Sequence, residues 1–222
     1  MLSRRDVVRN SLCLGVAGAV APSLVFPARA HHAVNRNFTV LRDGNQIGTH
    51  SITMSQNGDE KIVDVEVALA VKIAFITVFR LEHRNRETWR AGRLLKIDTK
   101  TNDNGKDFKV DGNANATGFD LVVNGERTAI PKPIIPTSYW NPATVDQDLL
   151  LNSVNGKLLK VGIKPTLSES VKTWTGPVSA DKYEMRGDLD IDLWYDAGKH
   201  IVRLAFESKG SVIAYDLTSG TT

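Results

Sequence analysis

The sequence predicts an all-β, mainly antiparallel fold: a long curved sheet forming a half-open or closed barrel, with one short helix. Three observations carry this. Val63, Val65, Val67, Leu69, Val71 and Ile73 place apolar side chains at every second position, with Asp64, Glu66, Ala68, Ala70 and Lys72 between them, the period of a strand with one buried and one wetter face. Turn signals recur roughly every eight to twelve residues, the spacing of a sandwich or barrel. Up to Ile130 no segment sustains a helical period.

The spine is the stretch Glu60 to Trp89. β-Branched valines suit a pleated surface better than a helix. A second strand, Phe79 to Trp89, sets Arg80, Glu82, Arg84, Arg86 and Thr88 on one side and Phe79, Leu81, His83, Asn85, Glu87 and Trp89 on the other. The two pair as neighbours in the sheet. Between them, Ala74-Phe75-Ile76-Thr77-Val78 contains no Gly, Pro, Asn or Asp to mark a reversal. The segment is expected to fold back onto the core, because exposed apolar patches are uncommon.

In chain order, Phe38, Val40 and Arg42 open the first strand, and Asp43-Gly44-Asn45-Gln46 turns it into Ile47 to Met54. Asn57-Gly58 leads to the valine strand, and Ala91-Gly92 leads to Arg93 to Thr101. Asp103-Asn104-Gly105 precedes Asp107 to Val110, and Asn124-Gly125 joins Phe119–Val123 to Arg127–Ile130. Pro131-Lys132-Pro133-Ile134-Ile135-Pro136 cannot be a central strand, since proline lacks the N–H a ladder needs; it reads as an extended crossing. Asn141-Pro142 reads as a helix cap and first-turn proline, predicting one short helix near Pro142–Leu151. Strands resume as Lys157–Lys164, Ser168–Thr173, Tyr183–Arg186, Leu189–Tyr195, Ile201–Ser208 and Ser211–Leu217.

Residues 1–30 read as a Tat signal peptide and 31–222 as a single antiparallel β domain. Ser3-Arg4-Arg5-Asp6-Val7-Val8-Arg9 has the twin-arginine pattern, a mildly apolar stretch follows to Phe26, and Ala28-Arg29-Ala30 is an A-x-A site. The expectation is passage through the Tat translocase, cleavage after Ala30, and a periplasmic protein. The apolar stretch is too short and Gly/Ala-rich for a membrane span, so no stable span is expected in the mature chain. The whole chain carries +3. Arg4, Arg5, Arg9 and Arg29 against Asp6 account for all of it, leaving the mature chain neutral and giving no ground for nucleic-acid binding. The single cysteine, Cys13, is also in the leader, so disulfides and thiolate chemistry are excluded downstream.

Three segments in order carry a resemblance: Asp43-Gly44-Asn45-Gln46-Ile47-Gly48-Thr49-His50; His83-Arg84 with Glu87 and Trp89; and Leu193-Trp194-Tyr195-Asp196 followed by Leu204, Phe206, Tyr215 and Leu217. From about Phe38 to Leu217 the chain resembles an uncharacterised domain-of-unknown-function family of Tat-exported proteobacterial periplasmic proteins. The resemblance implies a periplasmic all-β domain and no particular activity. By shape the expected sheet is similar to lipocalin and lipoprotein-carrier folds, in which a curved sheet half-encloses an apolar ligand.

No G-x-S-x-G, H-E-x-x-H, Walker loop or G-x-G-x-x-G is present. The informative polar residues are His50, which shares a strand face with Ile52 and Met54, and His83, Asn85 and Glu87, which share one with Phe79, Leu81 and Trp89. On a concave apolar face these groups either pair internally, for example His83 with Glu87, or meet a ligand. Tyr139-Trp140-Asn141 stands at the loop-to-helix junction, as a plug of the core or a pocket rim. The predicted ligand-binding set is His50, His83, Glu87, Trp89 and Trp140, for an apolar small molecule or lipid, with no catalytic residue, metal or cofactor. The alternatives are a structural or assembly partner in an exported complex, working through sheet edges or the Ala74–Val78 tip, and a metal-assisted enzyme using His50, His83 and Glu87. His31-His32 as a copper-chelating terminus and Asp188, Asp190, Asp192 and Asp196 as a calcium site are the weaker readings; the aspartates read as a solvated face.

Overall fold

The computed structural model describes residues 33–221. The leader with its arginine pair and A-x-A site, Cys13 and His31-His32 lie outside the described residues, as does Thr222. The chain runs through β1 (Val34–Arg42), β2 (Asn45–Asn57), β3 (Glu60–Ile73), β4 (Ile76–Arg90), β5 (Arg93–Asp103), β6 (Lys106–Ala114), β7 (Phe119–Val123) and β8 (Glu126–Ile130). After the proline-rich crossing come β9 (Ile135–Pro136), a 3-10 helix (Pro142–Asp146) and β10 (Leu149–Leu151). The chain ends with β11 (Leu158–Pro165), β12 (Glu169–Thr173), β13 (Gly176–Gly187), β14 (Ile191–Asp196), β15 (Ile201–Ser208) and β16 (Ser211–Gly220).

All sixteen strands belong to one sheet, in the order β8-β7-β6-β5-β4-β3-β2-β1-β16-β15-β14-β13-β11-β10-β9, with β12 also paired to β13. Every pairing is antiparallel except β9 with β10. The outermost strands, β8 and β9, are consecutive in the chain, so Pro131 to Ile134 bridges the two free edges covalently and the ladder stays open. Three prolines in and beside that bridge suit it to an edge that no strand has to cover.

Two-residue turns reverse the chain with great regularity. Asp43-Gly44, Ala91-Gly92, Asn104-Gly105, Asn124-Gly125 and Lys209-Gly210 all have positive φ at both residues, the primed geometry whose twist matches the flanking strands. The register then follows from the alternation. Asp64 faces Arg86, Glu66 faces Arg84 and Glu60 faces Arg90 across β3 and β4. Ion pairs close at 2.8 Å for Arg86–Asp64 and Arg90–Glu60. Exposed as they are, each contributes only a few tenths to about 1 kcal/mol; they mark the register more than they stabilise the sheet.

On the other face of the same strands lies the core, from Val63, Val65 and Leu69 through Trp89, Leu94 and Ile97 to Leu193, Ile201 and Leu204. Pro133 to Gly156 is drawn into this concavity. Its Ile134, Trp140, Leu150 and Leu151 are buried among the sheet residues.

Two expectations need correction. The helix is a single short 3-10 element, Pro142–Asp146, and Leu149–Leu151 is strand β10, not its continuation. The cap itself is as expected, with the Asn141 side chain accepting from the Ala143 N–H at 3.0 Å. The chain leaves the helix because β11 and β9 offer Leu149–Leu151 partners on both sides. Second, the Ala74–Val78 segment does not fold back onto the core. Phe75 is fully exposed (101 %), and Ile73 and Ile76 stand at 63 % and 70 %. The strands flanking the hairpin stop short of its tip, so no core surface is within reach there: β2 pairs with β3 only as far as Leu69, and β5 with β4 only as far as Leu81.

Candidate functional site

The antiparallel registers stack the inward side chains in transverse rows. Phe38 pairs with His50, His50 with Val67, Val67 with His83 and His83 with Thr101, a single row across β1 to β5. One step toward the plugged end, Val65 faces Asn85; a further step brings Val63 opposite Glu87, and then Lys61 opposite Trp89. One step the other way, Leu69 faces Leu81, and beyond it Val71 faces Phe79. The sheet interior is therefore graded along the strands: tryptophan and carboxylate, then imidazoles, then purely apolar residues toward the β3–β4 tip.

Glu87 is fully buried. Its Oε2 accepts from Trp89 Nε1 and Trp140 Nε1, each at 2.8 Å, and its Oε1 accepts from Asn85 Nδ2 at 2.7 Å. Burial pushes the carboxyl upward, while the donors, Trp140 and Asn85 foremost, pull it back. The two indoles meet edge to face, 5.2 Å between ring centres. Trp140 reaches this position through a strained turn. Its N–H donates to the Ser138 carbonyl at 2.8 Å, closing a three-residue turn about Tyr139, whose φ is +57°. A positive-φ γ-turn at a bulky residue is uncommon and persists only where the surroundings impose it. Here the Tyr195 hydroxyl donates to the Tyr139 carbonyl at 2.8 Å and holds it. The outer side of Trp140 looks onto a separate recess with Arg36, Lys61 and His200, and the Lys61 ammonium stands 4.9 Å over its ring.

A cavity of about 190 Å³ is lined by His50, Val67, His83, Tyr139, Ser153 and Leu204 among others. His83 Nδ1 is 2.7 Å from the Thr101 hydroxyl and its Nε2 is 3.4 Å from that of Ser153. His50 lies between the rings of Phe38 and Tyr215, at 5.4 and 5.5 Å. Among the described residues neither of its ring nitrogens has a hydrogen-bond partner, although the side chain is 5 % exposed. Burial, with His83 adding to it, pushes His50 down to about 3; burial alone pushes His83 down to about 4. Both imidazoles are thus neutral at physiological pH, each offering one donor and one acceptor.

Leu81, Phe206 and Tyr215 form a wall common to this cavity and to a groove of about 420 Å³. The groove is lined by Ile47, Leu69, Val71, Ile73, Val78 and Ile213, with Arg42 and Lys209 at its border. The inside of the sheet therefore offers an apolar groove and, across one shared wall, a cavity with imidazoles in its lining, a combination of apolar surface and few polar groups found in ligand pockets. Among the described residues no three His, Cys, Asp or Glu side chains cluster as a metal site would require. No described helix is long and apolar enough to cross a membrane.

Of the residues singled out from the sequence, His50 and His83 come together on the cavity, while Glu87, Trp89 and Trp140 come together in a separate buried cluster and are not among the residues that line it. Internal pairing of the buried polar groups does occur, but His83 is joined to Thr101 and Ser153 and Glu87 to the tryptophans, not His83 to Glu87. Ser153, Tyr139 and Tyr215 complete the lining. Tyr215 alternates with Ile213 and Leu217 in the last strand and was within reach of a parity argument; nothing in the sequence around Ser153 marks it.

Fold and interior together define a half-open, β-barrel-like domain built around an apolar interior. Residues 38–218 match the sequence family described as a domain of unknown function, DUF6134, and the chain belongs to that family. No curated protein matches it in sequence. Among solved structures it is similar to a β-barrel-like protein of the domain of unknown function DUF1849 from Brucella abortus, with a TM-score of 0.56 at 10 % identity, covering 86 % of this chain and 97 % of that one. At that identity the likeness is one of fold.

Proposed function

We propose that this chain is an exported, periplasmic and non-catalytic binding or carrier module for an apolar or lipid-like ligand. The observation that carries the reading is an apolar groove and an adjoining cavity that share one wall and that we read as one passage; His50 lines the cavity, and among the described residues neither of its buried ring nitrogens has a hydrogen-bond partner. An unpaired buried imidazole costs about 1–3 kcal/mol, and a ligand hydroxyl, carbonyl or carboxyl group at that point offsets the cost. In this reading His50 and His83 meet the polar end of the ligand. Glu87, Trp89 and Trp140 act from outside the cavity, holding the segment whose Ser138 and Tyr139 line it. Export rests on the twin-arginine leader and the A-x-A site, and a cysteine-free chain after Cys13 suits a protein that needs no oxidative folding step.

The metal-assisted alternative is disfavoured by Glu87, whose carboxylate oxygens are already held by three donors away from the histidines' cavity. The carrier reading is tested by native mass spectrometry of the protein purified from cells that export it, followed by solvent extraction. An apolar adduct, or displacement of a fluorescent fatty-acid analogue from the purified chain, is the expected result. A protein that carries no adduct and takes up no analogue overturns the reading.

A further inference from the structure

Among the described residues, the β3–β4 hairpin ends in a finger that no other strand flanks. The pairs Ala70↔Arg80, Val71↔Phe79, Lys72↔Thr77 and Ile73↔Ile76 lie beyond the last residues that β2 and β5 reach. A two-stranded ribbon in water is marginal by itself, and solvent-facing tips normally carry Gly, Asn or Asp. The registers place the tips of Asp43-Gly44, Asn104-Gly105, Asn124-Gly125 and Lys209-Gly210 at this same end of the sheet, and each contains a glycine and a polar or charged residue. Only the finger, at Ala74-Phe75, turns through apolar residues, and there Ala74 takes a positive φ of 52° without a glycine beside it.

From this we infer that the finger is a lipid-docking element, with Phe75 and Ile76 entering the interfacial region of an anionic bilayer. Three features favour lipid over a protein partner. The exposed apolar residues Ile73, Phe75, Ile76 and Val78 surround the tip of a narrow projection, a shape that enters an acyl phase without a complementary pocket. The finger's charges, Lys72 and Arg80, are both positive, Arg80 lying 3.5 Å from Glu82 in an exposed ion pair, and Arg42 and Lys209 border the groove beside it, which suits anionic headgroups. Ile73 and Val78 also line the groove that shares its wall with the His50 cavity, so docking would bring the mouth of the passage against the bilayer. Only the last step, transfer of an apolar molecule between bilayer and cavity, rests on the carrier reading.

The test uses the full chain with vesicles of phosphatidylcholine alone or mixed with phosphatidylglycerol. Co-sedimentation with the anionic vesicles is expected to weaken by at least roughly tenfold in the double variant Phe75→Ser, Ile76→Ser, the equivalent of one buried aromatic side chain or more, and to be retained by Phe75→Trp. Because the leader is common to all of them, a second readout isolates the tip: a Cys13→Ser, Phe75→Cys chain labelled with an environment-sensitive dye should shift to the blue with anionic vesicles and be quenched by brominated lipid. Unchanged sedimentation of the serine variant, or a dye that stays in water, overturns the proposal. So does a tip that proves necessary for a stoichiometric protein complex and not for vesicle binding. Vesicle docking without any cavity ligand leaves the finger standing and removes the carrier reading; a loaded cavity with no docking does the reverse.

Discussion

Glu87 shows how a residue that looks like chemistry in the sequence can act as a fastener in the fold. A buried carboxylate is tolerated only if its lone pairs are used, and here two indole N–H groups and one amide N–H use them. Replacing Glu87 by Ala orphans all three donors in a site without solvent. We expect a loss of about 3–5 kcal/mol in urea unfolding, larger than for Trp89→Phe, which removes one donor and should cost about 1–2 kcal/mol. The two histidines make a prediction of opposite character, one about pH. Their folded values, about 3 for His50 and about 4 for His83, lie below the ordinary 6.5. Between those limits the unfolded chain binds more protons than the folded one, so the stability their neutral forms sustain is fully present above about pH 6.5 and falls as the pH drops toward 4. Each group can change the folding constant by up to about tenfold per pH unit. Glu87, shifted upward, works against this trend, since its contribution is greatest at low pH and declines as the pH rises. Chemical denaturation from pH 7 to pH 4.5 should therefore show falling stability, and His50→Leu should flatten the fall. An equally steep fall in that variant would mean that His50 is not the group being titrated.

At the scale of elements, the turns did most of the instructing. The X-Gly dipeptides at Asp43-Gly44, Asn104-Gly105, Asn124-Gly125 and Lys209-Gly210 declare positive φ in the sequence, and the alternation between them declares which side chains share a face. The pairing of β3 with β4 and the inward set His83, Asn85, Glu87 and Trp89 were legible for that reason. What remained illegible depends on neighbours distant in sequence. Val145 and Leu149, four apart, share a helix face, and it is the approach of β9 and β11 that makes Leu149–Leu151 strand. The start of β13 at Gly176 was hidden by its Gly-Pro opening, which reads as a turn. The fate of the Phe75 tip depended on how far β2 and β5 extend, a property of registers and not of the tip. One contact ties the inner crossing to the sheet and can be tested. Gly156, at φ +76°, would put a Cβ 2.2 Å from Val123 Cγ2 on β7, whereas Gly125, also at positive φ, has nothing within 4 Å. Gly125→Ala should cost about 1 kcal/mol from backbone strain alone. Gly156→Ala should cost at least about twice that, because Val123 must also move. Equal shifts in thermal unfolding would show that the crossing yields freely.

For the whole molecule, the decisive feature is how the sheet ends. A ladder whose first and last strands were hydrogen-bonded would be a closed barrel. This one leaves β8 and β9 joined by Pro131 to Ile134 and tucks the following segment, with Trp140 and Leu150, into one end of the concavity. Side chains fill one end, and the groove and the finger lie at the other. A ligand held in such a passage binds the folded chain and not the unfolded one, so it must raise the unfolding temperature as its concentration exceeds its dissociation constant, by about 2.7 kcal/mol at a hundredfold excess. Val67 offers the means of separating occupancy from folding, because it lines the cavity in the row between His50 and His83 while remaining only partly buried. Val67→Phe puts added side-chain volume into a cavity of about 190 Å³, and filling space of this kind changes stability by about 1–3 kcal/mol at most. The unliganded variant should therefore still unfold cooperatively, yet a fatty-acid analogue that raises the melting temperature of the parent chain should no longer raise that of Val67→Phe. If the analogue stabilises both equally, it binds elsewhere, and the cavity behind the finger is not the ligand site we propose.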